Sequence, residues 1–372
     1  MQIGIDASRA FMKQRTGIEE YSYQVIKHLM QYLKNDQVVL YIRRGQSAAA
    51  ADCPLPDNWK VKVIKFPYLW TQLGLSLEML LNPVDVLFVP AHTVPLIHPK
   101  NTAVVIHGLE YEFVPDAYSW WERFYMRHSI KKSCKWARKI IAVSKNTKND
   151  LINVYKVSDD RIRVIYEGYE TDKTLKNCDL GEGGNLHDIG KGYLMFVGRI
   201  EERKNIIGIM KAFEILKEKH GFAGKLVLAG RPGYGYDRIM DYLSSSKYKS
   251  EIIMSGFISD EDKCKLFGNA GVFMFPTFYE GFGIPILEAQ SMGVPVVCSN
   301  ISSMSEVADG SAVLVDPNEP SFIAERTNVL IKDENFRKDI IQRGYKNVER
   351  FSWDKCAQEI AEILMKKEGP RC

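Results

Sequence analysis

The sequence predicts an α/β fold with two doubly wound parallel sheets, each covered by helices on both faces. Short apolar runs rich in β-branched residues alternate with helical patterns along the chain, as βαβ units do. The alternation stops at residues 170–192, which collect Gly, Asn and Asp, and starts again at Tyr193. The 372 residues suit two domains of roughly 150 to 200 residues each, facing a central cleft.

The strands follow from this pattern in order. In the first half, strands are predicted over residues 2–7, 38–42, 61–66, 84–89, 103–106, 140–143 and 161–165. In the second half, they are predicted over residues 193–197, 225–229, 252–254, 272–275, 295–298 and 312–315. We therefore predict a first Rossmann-like domain over residues 1–170 and a second over residues 190–352. A C-terminal helix at about residues 353–372 is expected to pack back onto the first domain.

Composition and charge exclude several classes of protein. The hydrophobic content of 45% and the charged content of 26% are ordinary for a folded domain, and a formal charge of +4 does not indicate nucleic-acid binding. Seven scattered cysteines never have the CxxC spacing of a zinc site. The N-terminal MQIGIDAS runs straight into a strand, and no apolar run approaches the roughly 20 residues of a membrane-spanning helix. We therefore expect a cytoplasmic protein.

The most informative motif follows the strand predicted at residues 272–275. It reads Pro276-Thr-Phe-Tyr-Glu280-Gly281-Phe282-Gly283-Ile284-Pro285-Ile-Leu-Glu288. Gly281 and Gly283 let bare backbone approach a ligand, and Pro285 suits the first turn of a helix whose free amides attract anions. Glu280 in the loop and Glu288 in the helix are then placed to bind two different hydroxyl-bearing groups. A sugar nucleotide has two such groups, its hexose and its ribose.

A second motif, Gly198-Arg199-Ile-Glu-Glu-Arg-Lys204-Asn205, follows the strand predicted at residues 193–197. Arg199 and Lys204 flank a strand-to-helix turn, at the edge where a parallel sheet binds its ligands. Two cations there neutralise a diphosphate and stabilise it as a leaving group, so that a divalent metal is not needed. The alternative is a solvated charged turn, since Glu201, Glu202 and Arg203 stand around them.

These motifs resemble the retaining glycosyltransferases of family 4, which have the GT-B fold. The resemblance covers nearly the whole chain, because further family motifs stand in the family's order: Asp6-Ala-Ser, Thr16-Gly17-Ile-Glu, Ile106-His107-Gly, Ile141-Ala-Val-Ser144 and Gly230-Arg-Pro-Gly233. It implies that Glu280 contacts the donor hexose, that Glu288 holds the ribose, and that Arg199 with Lys204 grips the diphosphate. One departure is that many members have His-Asp where this chain has His107-Gly108.

The resemblance also implies that Gly17 lets the N-terminal domain close on the phosphates and that His107 lies near the hexose. The predicted catalytic residues are therefore Glu280, Arg199, Lys204 and His107. The predicted donor-binding residues are Gly17, Gly198, Gly230, Phe257, Gly281, Phe282, Gly283, Ile284 and Glu288.

The activity implied is transfer of a mannose-, glucose- or GlcNAc-type hexose from a nucleotide-diphosphate sugar to a glycan or lipid-linked acceptor. The second domain is expected to bind the donor and the first domain the acceptor. The expected reaction is a front-face displacement that retains configuration, in which the leaving phosphate takes the acceptor proton. No metal and no other cofactor is expected. A nucleotide-sugar 2-epimerase and a noncatalytic nucleotide-sugar-binding protein stay open as alternatives, whereas an NAD oxidoreductase is disfavoured because GxGxxG follows neither first strand.

Three sequence features admit a structural interpretation as well as a functional one. Gly17 also fits the capping box Thr16-x-x-Glu19, and His107 also fits a hydrogen-bonded structural residue. The stretch 120–148 is basic and aromatic. It fits either an interfacial helix in peripheral contact with the inner face of an anionic membrane or an ordinary amphipathic helix.

Overall fold

The computed structural model describes residues 1–170 and 189–366, and it divides the chain into two compact units. The first unit comprises Met1–Leu109, Trp120–Gly168 and Phe351–Cys372, and the second comprises Glu110–Ser119 and Tyr169–Arg350. The short segment Glu110–Ser119 therefore belongs to the second unit, although the chain on both of its sides belongs to the first. The predicted loop at residues 170–192 lies largely outside the described residues.

A parallel seven-stranded sheet organises the described part of the first unit. Its strands are β1 (Gln2–Asp6), β2 (Gln37–Arg43), β3 (Trp59–Ile64), β4 (Val86–Val89), β5 (Asn101–Ile106), β6 (Lys139–Ala142) and β7 (Ile162–Val164). Their order across the sheet is 3-2-1-4-5-6-7. β1 pairs with both β2 and β4, so the strand order reverses there. The loops that follow β1 and β4 consequently flank the point at which such sheets bind ligands.

A parallel six-stranded sheet has the same role in the described part of the second unit. Its strands are β8 (Tyr193–Val197), β9 (Leu226–Ala229), β10 (Ile252–Gly256), β11 (Ala270–Phe275), β12 (Val296–Ser299) and β13 (Val313–Val315). Their order is 10-9-8-11-12-13, with β8 between β9 and β11. The loops after β8 and β11 therefore flank the reversal point of this sheet. β9 is buried along its whole length because helices cover both faces.

Helices connect the strands and cover the two sheets. Numbered along the chain, they are α1 (Gly17–Leu29), α2 (Ser47–Ala51), α3 (Ser76–Leu81), α4 (Glu110–Phe113), α5 (Trp120–Trp136), α6 (Lys145–Tyr155), α7 (Ile206–His220), α8 (Tyr236–Ser245), α9 (Asp260–Asn269), α10 (Ile284–Ser291), α11 (Met304–Ala308), α12 (Pro320–Lys332), α13 (Glu334–Val348) and α14 (Trp353–Met365). Within the first unit, α14 packs against α1. Among residues 1–170 and 189–366, no helix is both long and apolar enough to cross a bilayer.

The predicted fold class is confirmed, and each predicted strand has a counterpart whose ends differ by at most two residues. The stretch 120–148 is not one helix. It contains α5, which ends at Trp136, then β6, and then the start of α6. The apolar run at residues 140–142 pairs with β5 and β7 and is buried between them. Because these residues form a strand of the sheet, one continuous helix over residues 120–148 cannot form.

Candidate functional site

Two glycines bring the loop after β8 against the loop after β9. Gly198 and Gly230 have φ angles of +151° and +150°, which side chains rarely adopt. A Cβ atom on Gly230 would lie 1.7 Å from the carbonyl oxygen of Gly198, so only glycine allows this approach. Ile200 forms an isolated parallel bridge with Pro232. The Gly230-Arg-Pro-Gly233 motif is therefore a strand-end turn fixed beside the cationic loop.

Asn205 fastens the loop after β8 to two other segments. It lies in the left-handed region at φ +57° and precedes α7. Its buried side-chain amide donates to the carbonyl of Pro276 at 3.0 Å and to that of Pro317 at 2.7 Å. Both predicted ligand-binding loops of the second unit, after β8 and after β11, are thereby held in a fixed relation.

Glu280 lies at the centre of a buried ionic cluster in the loop after β11. The ammonium of Lys204 donates to Glu280 Oε1, and Arg203 Nη1 lies 3.4 Å from Glu280 Oε2. Arg203 also donates to the carbonyl of Tyr279 and to the carboxylate of Glu201, both at 2.8 Å. The side chains of Glu280, Lys204 and Arg203 are only 12%, 11% and 15% exposed.

The charges of this cluster determine its protonation. Burial alone would raise the pKa of Glu280, but Lys204 and Arg203 outweigh burial and hold that pKa below its usual value, so the carboxylate is ionised at neutral pH. Burial and the nearby Arg203 lower the pKa of Lys204, although Glu280 opposes them. The arrangement is an ionised carboxylate shared by two desolvated cations.

Residues from the Glu110–Ser119 segment complete the cluster. The ring of Phe113 stacks on Tyr279 with centroids 5.1 Å apart and planes 10° apart. Burial raises the pKa of Tyr118, and the negative charge of Glu110 raises it further. The charge of Arg203 lowers this pKa and that of Glu280 raises it, so both lie close to the phenol. The sequence motifs did not indicate these residues, because the segment lies between β5 and α5 of the first sheet and contains no glycine-rich or capping pattern.

The start of α10 carries the second motif carboxylate. Gly283 precedes the helix at φ +121°, and Pro285 lies in its first turn, as predicted. Glu288 Oε1 accepts a hydrogen bond from Lys263 of α9 at 2.7 Å. Gly281, Phe282 and Ile284 complete the link from Glu280 to the helix.

An exposed aromatic ring follows β10 in the same unit. Phe257 is 62% exposed, and the guanidinium of Arg231 lies 4.3 Å from its ring centroid. The next helix, α9, begins after Ser259, whose Oγ accepts from the amide of Asp262 at 3.0 Å. Phe257 therefore offers a flat apolar face at the carboxyl end of the sheet, suited to stacking on a ring.

In the first unit, Gly17 and His107 lie after β1 and β5. Gly17 begins α1, and a Cβ atom there would meet no atom within 4 Å. The Thr16 hydroxyl donates to Glu19 Oε2 at 2.6 Å and caps no backbone amide, so the two residues pair through their side chains rather than as a capping box. His107 has Nδ1 3.1 Å from Glu167 Oε1 and Nε2 2.8 Å from the Pro90 carbonyl. Both of its ring nitrogens are thus engaged by acceptors of the protein.

His92 is a further histidine that sequence reasoning missed. It follows β4 in the left-handed region, at φ +42°, and its ring centroid lies 5.2 Å from that of His107. Its Nδ1 is buried without a hydrogen-bond partner, and burial holds its pKa well below the usual 6.5. Its sequence context, Ala-His-Thr, carries no motif.

The structure brings together some of the predicted catalytic residues and not others. Lys204 and Glu280 are in direct contact, with Arg203 as the second cation. Arg199 is exposed and makes no ion pair with any residue that the structure describes. Within residues 1–170 and 189–366, no cluster of three or more His, Cys, Asp or Glu side chains is arranged to hold a metal ion.

Two family models and several curated proteins match the chain. The model for glycosyltransferase family 4 matches residues 15–173, and the model for glycosyl transferases group 1 matches residues 184–347. The O-antigen chain mannosyltransferase B of Escherichia coli is 32% identical over 238 residues, or 63% of this chain and 62% of its own length. An uncharacterized glycosyltransferase of Methanocaldococcus jannaschii is 30% identical over 63% of this chain and 60% of its own length. The chain covers less than two thirds of both relatives.

Solved structures with the same fold are more distant in sequence. HepE from Anabaena, solved with UDP and glucose, has a TM-score of 0.71 and 16% identity, with 98% of each chain covered. WaaG, described as a glycosyltransferase involved in lipopolysaccharide biosynthesis, has a TM-score of 0.71 and 12% identity, with 99% of this chain and all of its own covered. At this identity the likeness establishes the fold alone.

Proposed function

The chain belongs to glycosyltransferase family 4, and from this membership we propose that it transfers a hexose from a nucleotide-diphosphate sugar to an acceptor. The observation that carries the proposal is the buried contact of Lys204 and Arg203 with Glu280, at the reversal point of the second sheet. A pyrophosphate and a hexose need adjacent positive and negative groups, and this cluster supplies both. The amides at the start of α10 add a further anion site beside it.

The contacts of the cluster suggest how the donor is accommodated. Glu280 neutralises the Lys204 ammonium. A diphosphate brings its own negative charge, so it replaces the carboxylate as the partner of Lys204. The ionised Glu280 then accepts hydrogen bonds from hexose hydroxyls. Arg199, exposed beside Gly198, is proposed as a second cation for the phosphates, and Glu288 is proposed to exchange its contact with Lys263 for the ribose.

We further propose a metal-independent reaction that retains configuration. Retaining hydrolases use two carboxylates about 5 Å apart, one of which is a nucleophile. Here Glu280 and Glu288 are each held by cations, which suits binding groups better than an attacking group. The charge that develops on the leaving phosphate is stabilised by fixed cations and amides, and that phosphate takes the acceptor proton. His107 is proposed to lie near the hexose, although its two ring nitrogens have protein partners in this structure.

The relatives favour mannose as the hexose and polysaccharide biosynthesis as the setting. Both the Escherichia coli relative and RfbU of Salmonella typhimurium, 23% identical over 73% of this chain, are named O-antigen chain mannosyltransferases. GDP-mannose is therefore the first donor to test, with UDP-glucose and UDP-GlcNAc as the alternatives. We propose that the second unit holds the donor, that the first binds a glycan or lipid-linked acceptor, and that the protein acts in the cytoplasm at the inner face of a membrane.

A donor screen tests these proposals. GDP-, UDP- and ADP-sugars are assayed for binding and for slow hydrolysis in EDTA, using wild type, Lys204→Ala and Glu280→Ala. The matched control is Lys338→Ala, which removes a lysine from an exposed pair with Glu334 on α13. We expect one donor to be hydrolysed in EDTA by wild type and by the control, with at least a tenfold loss in the two site variants.

Each other outcome of the screen contradicts a stated part of the proposal. Loss of turnover in EDTA contradicts metal independence. A product whose new linkage has the anomeric configuration opposite to the donor's, measured by NMR, contradicts retention. Release of an epimerised nucleotide sugar without acceptor identifies a 2-epimerase, and tight binding without turnover identifies a binding protein.

A further inference from the structure

Arg203 and Lys204 are neighbours in the chain, but the protein holds their side chains in different ways. Both cations contact the carboxylate of Glu280. The terminal nitrogens of Arg203 also have other acceptors: Nη1 donates to the Tyr279 carbonyl and Nη2 donates to Glu201 Oε1, both at 2.8 Å. The guanidinium is therefore fixed by contacts with three groups of the protein.

Lys204 is held by fewer contacts. Its ammonium has three N–H groups, and Glu280 Oε1 accepts the one hydrogen bond that it makes to the residues that the structure describes. The ammonium also lies 5.4 Å from the centroid of the Phe275 ring. Breaking one hydrogen bond thus frees Lys204 to bind a phosphate, whereas Arg203 would have to leave three partners.

The acceptors that hold Arg203 belong to the protein interior. Glu201 is 7% exposed, and Tyr279 is 3% exposed against the ring of Phe113. The carbonyl of Arg203 accepts from the amide of Phe278 at 3.0 Å, so its backbone and its side chain both contact the loop after β11. A guanidinium fixed in this way cannot turn towards a ligand without leaving buried acceptors unpaired, which is costly.

Glu280 keeps its place in the loop without the help of Lys204. Its carbonyl accepts from Ser302 Oγ at 2.6 Å and from Ser303 Oγ at 2.9 Å, and its amide donates to Ser302 Oγ at 3.2 Å. These two serines lie between β12 and α11. When Lys204 moves to a phosphate, the backbone of Glu280 stays bound to the serines and its Oε2 stays beside Arg203.

The charges around Arg203 keep both it and Glu280 ionised. Burial lowers the pKa of the guanidinium, but the carboxylates of Glu280, Glu110 and Glu201 raise it above its usual value. Burial raises the pKa of Glu280, whereas Lys204 and Arg203 hold it below its usual value. An ionised carboxylate accepts stronger hydrogen bonds than a neutral acid does. Arg203 therefore supplies a positive charge that keeps Glu280 a strong acceptor after Lys204 has moved away.

We propose that the two cations have different roles: Lys204 moves to the diphosphate, whereas Arg203 stays with Glu280 and holds its carboxylate in position for the hexose. Arg203 is then a positioning residue, which acts on the sugar through Glu280 and does not touch the diphosphate. This rests on the proposed function for the identity of the donor and for the contact of Glu280 with the hexose.

Separate measurements on the nucleotide and on the sugar nucleotide test the two roles. GDP binding is measured by calorimetry, and GDP-mannose hydrolysis is measured in EDTA as released GDP; UDP and UDP-glucose replace them if the donor screen selects that pair. The matched control is Arg343→Gln, which removes a guanidinium from an exposed pair with Asp339 on α13. We expect Arg203→Gln to bind GDP within about threefold of wild type and to hydrolyse GDP-mannose about tenfold more slowly or worse. Lys204→Ala should lose about tenfold or more in both measurements, and the control should match wild type.

A double variant shows whether Arg203 acts through Glu280. Adding Arg203→Gln to Glu280→Gln should slow hydrolysis by no more than about twofold, because the group that Arg203 positions is already lost. Two losses that multiply in full would place Arg203 on the substrate itself and overturn the proposal. GDP binding that falls in step with hydrolysis in Arg203→Gln, or hydrolysis at the wild-type rate, would overturn it as well.

The pH profile of hydrolysis gives a readout that a purely structural role would not change. Loss of the guanidinium raises the pKa of Glu280, so the acid limb of Arg203→Gln should move to higher pH by about one unit or more. Arg203→Lys keeps the charge but not the planar fork, so its limb should stay with that of wild type even though its rate falls. An unmoved limb in Arg203→Gln contradicts the positioning role.

Two further results separate the possible failures. Wild type that hydrolyses no sugar nucleotide contradicts the proposed function rather than the role of Arg203. Thermal midpoints above the assay temperature show that each variant is folded. If Arg203→Gln is unfolded, Arg203→Lys provides the same comparison of GDP binding with hydrolysis, and equal losses in the two measurements overturn the proposal.

Discussion

Glu280→Gln tests the ionic cluster on which the proposed function depends. The substitution keeps the side-chain size and one carbonyl oxygen but removes the charge that Lys204 and Arg203 contact. Breaking a buried ion pair by removing one partner costs about 3–5 kcal/mol, since the other charge stays desolvated. All three side chains keep 11% to 15% exposure, and glutamine still accepts a hydrogen bond. We therefore expect the lower end, a loss of about 3 kcal/mol in the free energy of unfolding.

Calorimetry measures this loss. For a domain of the second unit's size, each kcal/mol lowers the thermal midpoint by about 2–4 °C, so the variant should unfold about 6–12 °C below wild type. The control is Glu334→Gln, which breaks a pair whose members are 67% and 69% exposed. Exposed pairs contribute little, and the control should shift the midpoint by about 2 °C or less.

Nucleotide binding gives a second and independent measurement. In Glu280→Gln the Lys204 ammonium has lost its carboxylate, so GDP or UDP should bind at least as tightly as to wild type. Transfer of the hexose should fall about 100-fold or more, because the group proposed to hold the sugar is lost. An unchanged midpoint would refute the claim that the buried pair stabilises the fold. Loss of nucleotide binding in step with transfer would place Glu280 on the nucleotide rather than on the hexose.

Three further predictions concern single residues. Gly230→Ala should cost more than about 3 kcal/mol, because its Cβ would lie 1.7 Å from the Gly198 oxygen at φ +150°; a wild-type urea midpoint would contradict this. Gly17→Ala should leave the urea midpoint unchanged or raise stability by up to about 1 kcal/mol, since the added Cβ meets no atom. If Gly17 admits the phosphates, donor turnover of that variant falls nonetheless, and unchanged turnover would end that role. Burial depresses the pKa of His92 well below 6.5, so the unfolded chain binds more protons there and stability falls as the pH is lowered through about 6.5. His92→Gln should flatten that decline in thermal midpoint, and an identical decline would refute the assignment.

Much of the fold could be read from local patterns. Each strand is buried on both faces, and its sequence is therefore a short continuous apolar run. For β9 and β11 the predicted ends lie within two residues of the observed ends. Gly283 and Pro285 predicted the start of α10 because each fits a particular backbone position. The sequence places Lys204 and Glu280 after two strands of one sheet, which meet at its reversal point, but it does not predict their direct contact.

The remaining features join parts of the chain whose contacts no local pattern encodes. Arg203 belongs to a charged run in the sequence, and Glu280 follows it by 77 positions. Only the fold of the turn before α7 shows that Arg203, and not Arg199, contacts Glu280. The Glu110–Ser119 segment leaves the order of its own sheet to pack in the second unit. Leu73, Leu77, Leu80 and Leu81 form an apolar stripe in the sequence, and such a stripe predicts burial, yet all four are exposed. Sequence alone therefore determined the helices, the strands and the glycine turns, because their causes are local. Tertiary structure decided which charges meet and which apolar face stays exposed to water, because both depend on the segments that pack alongside.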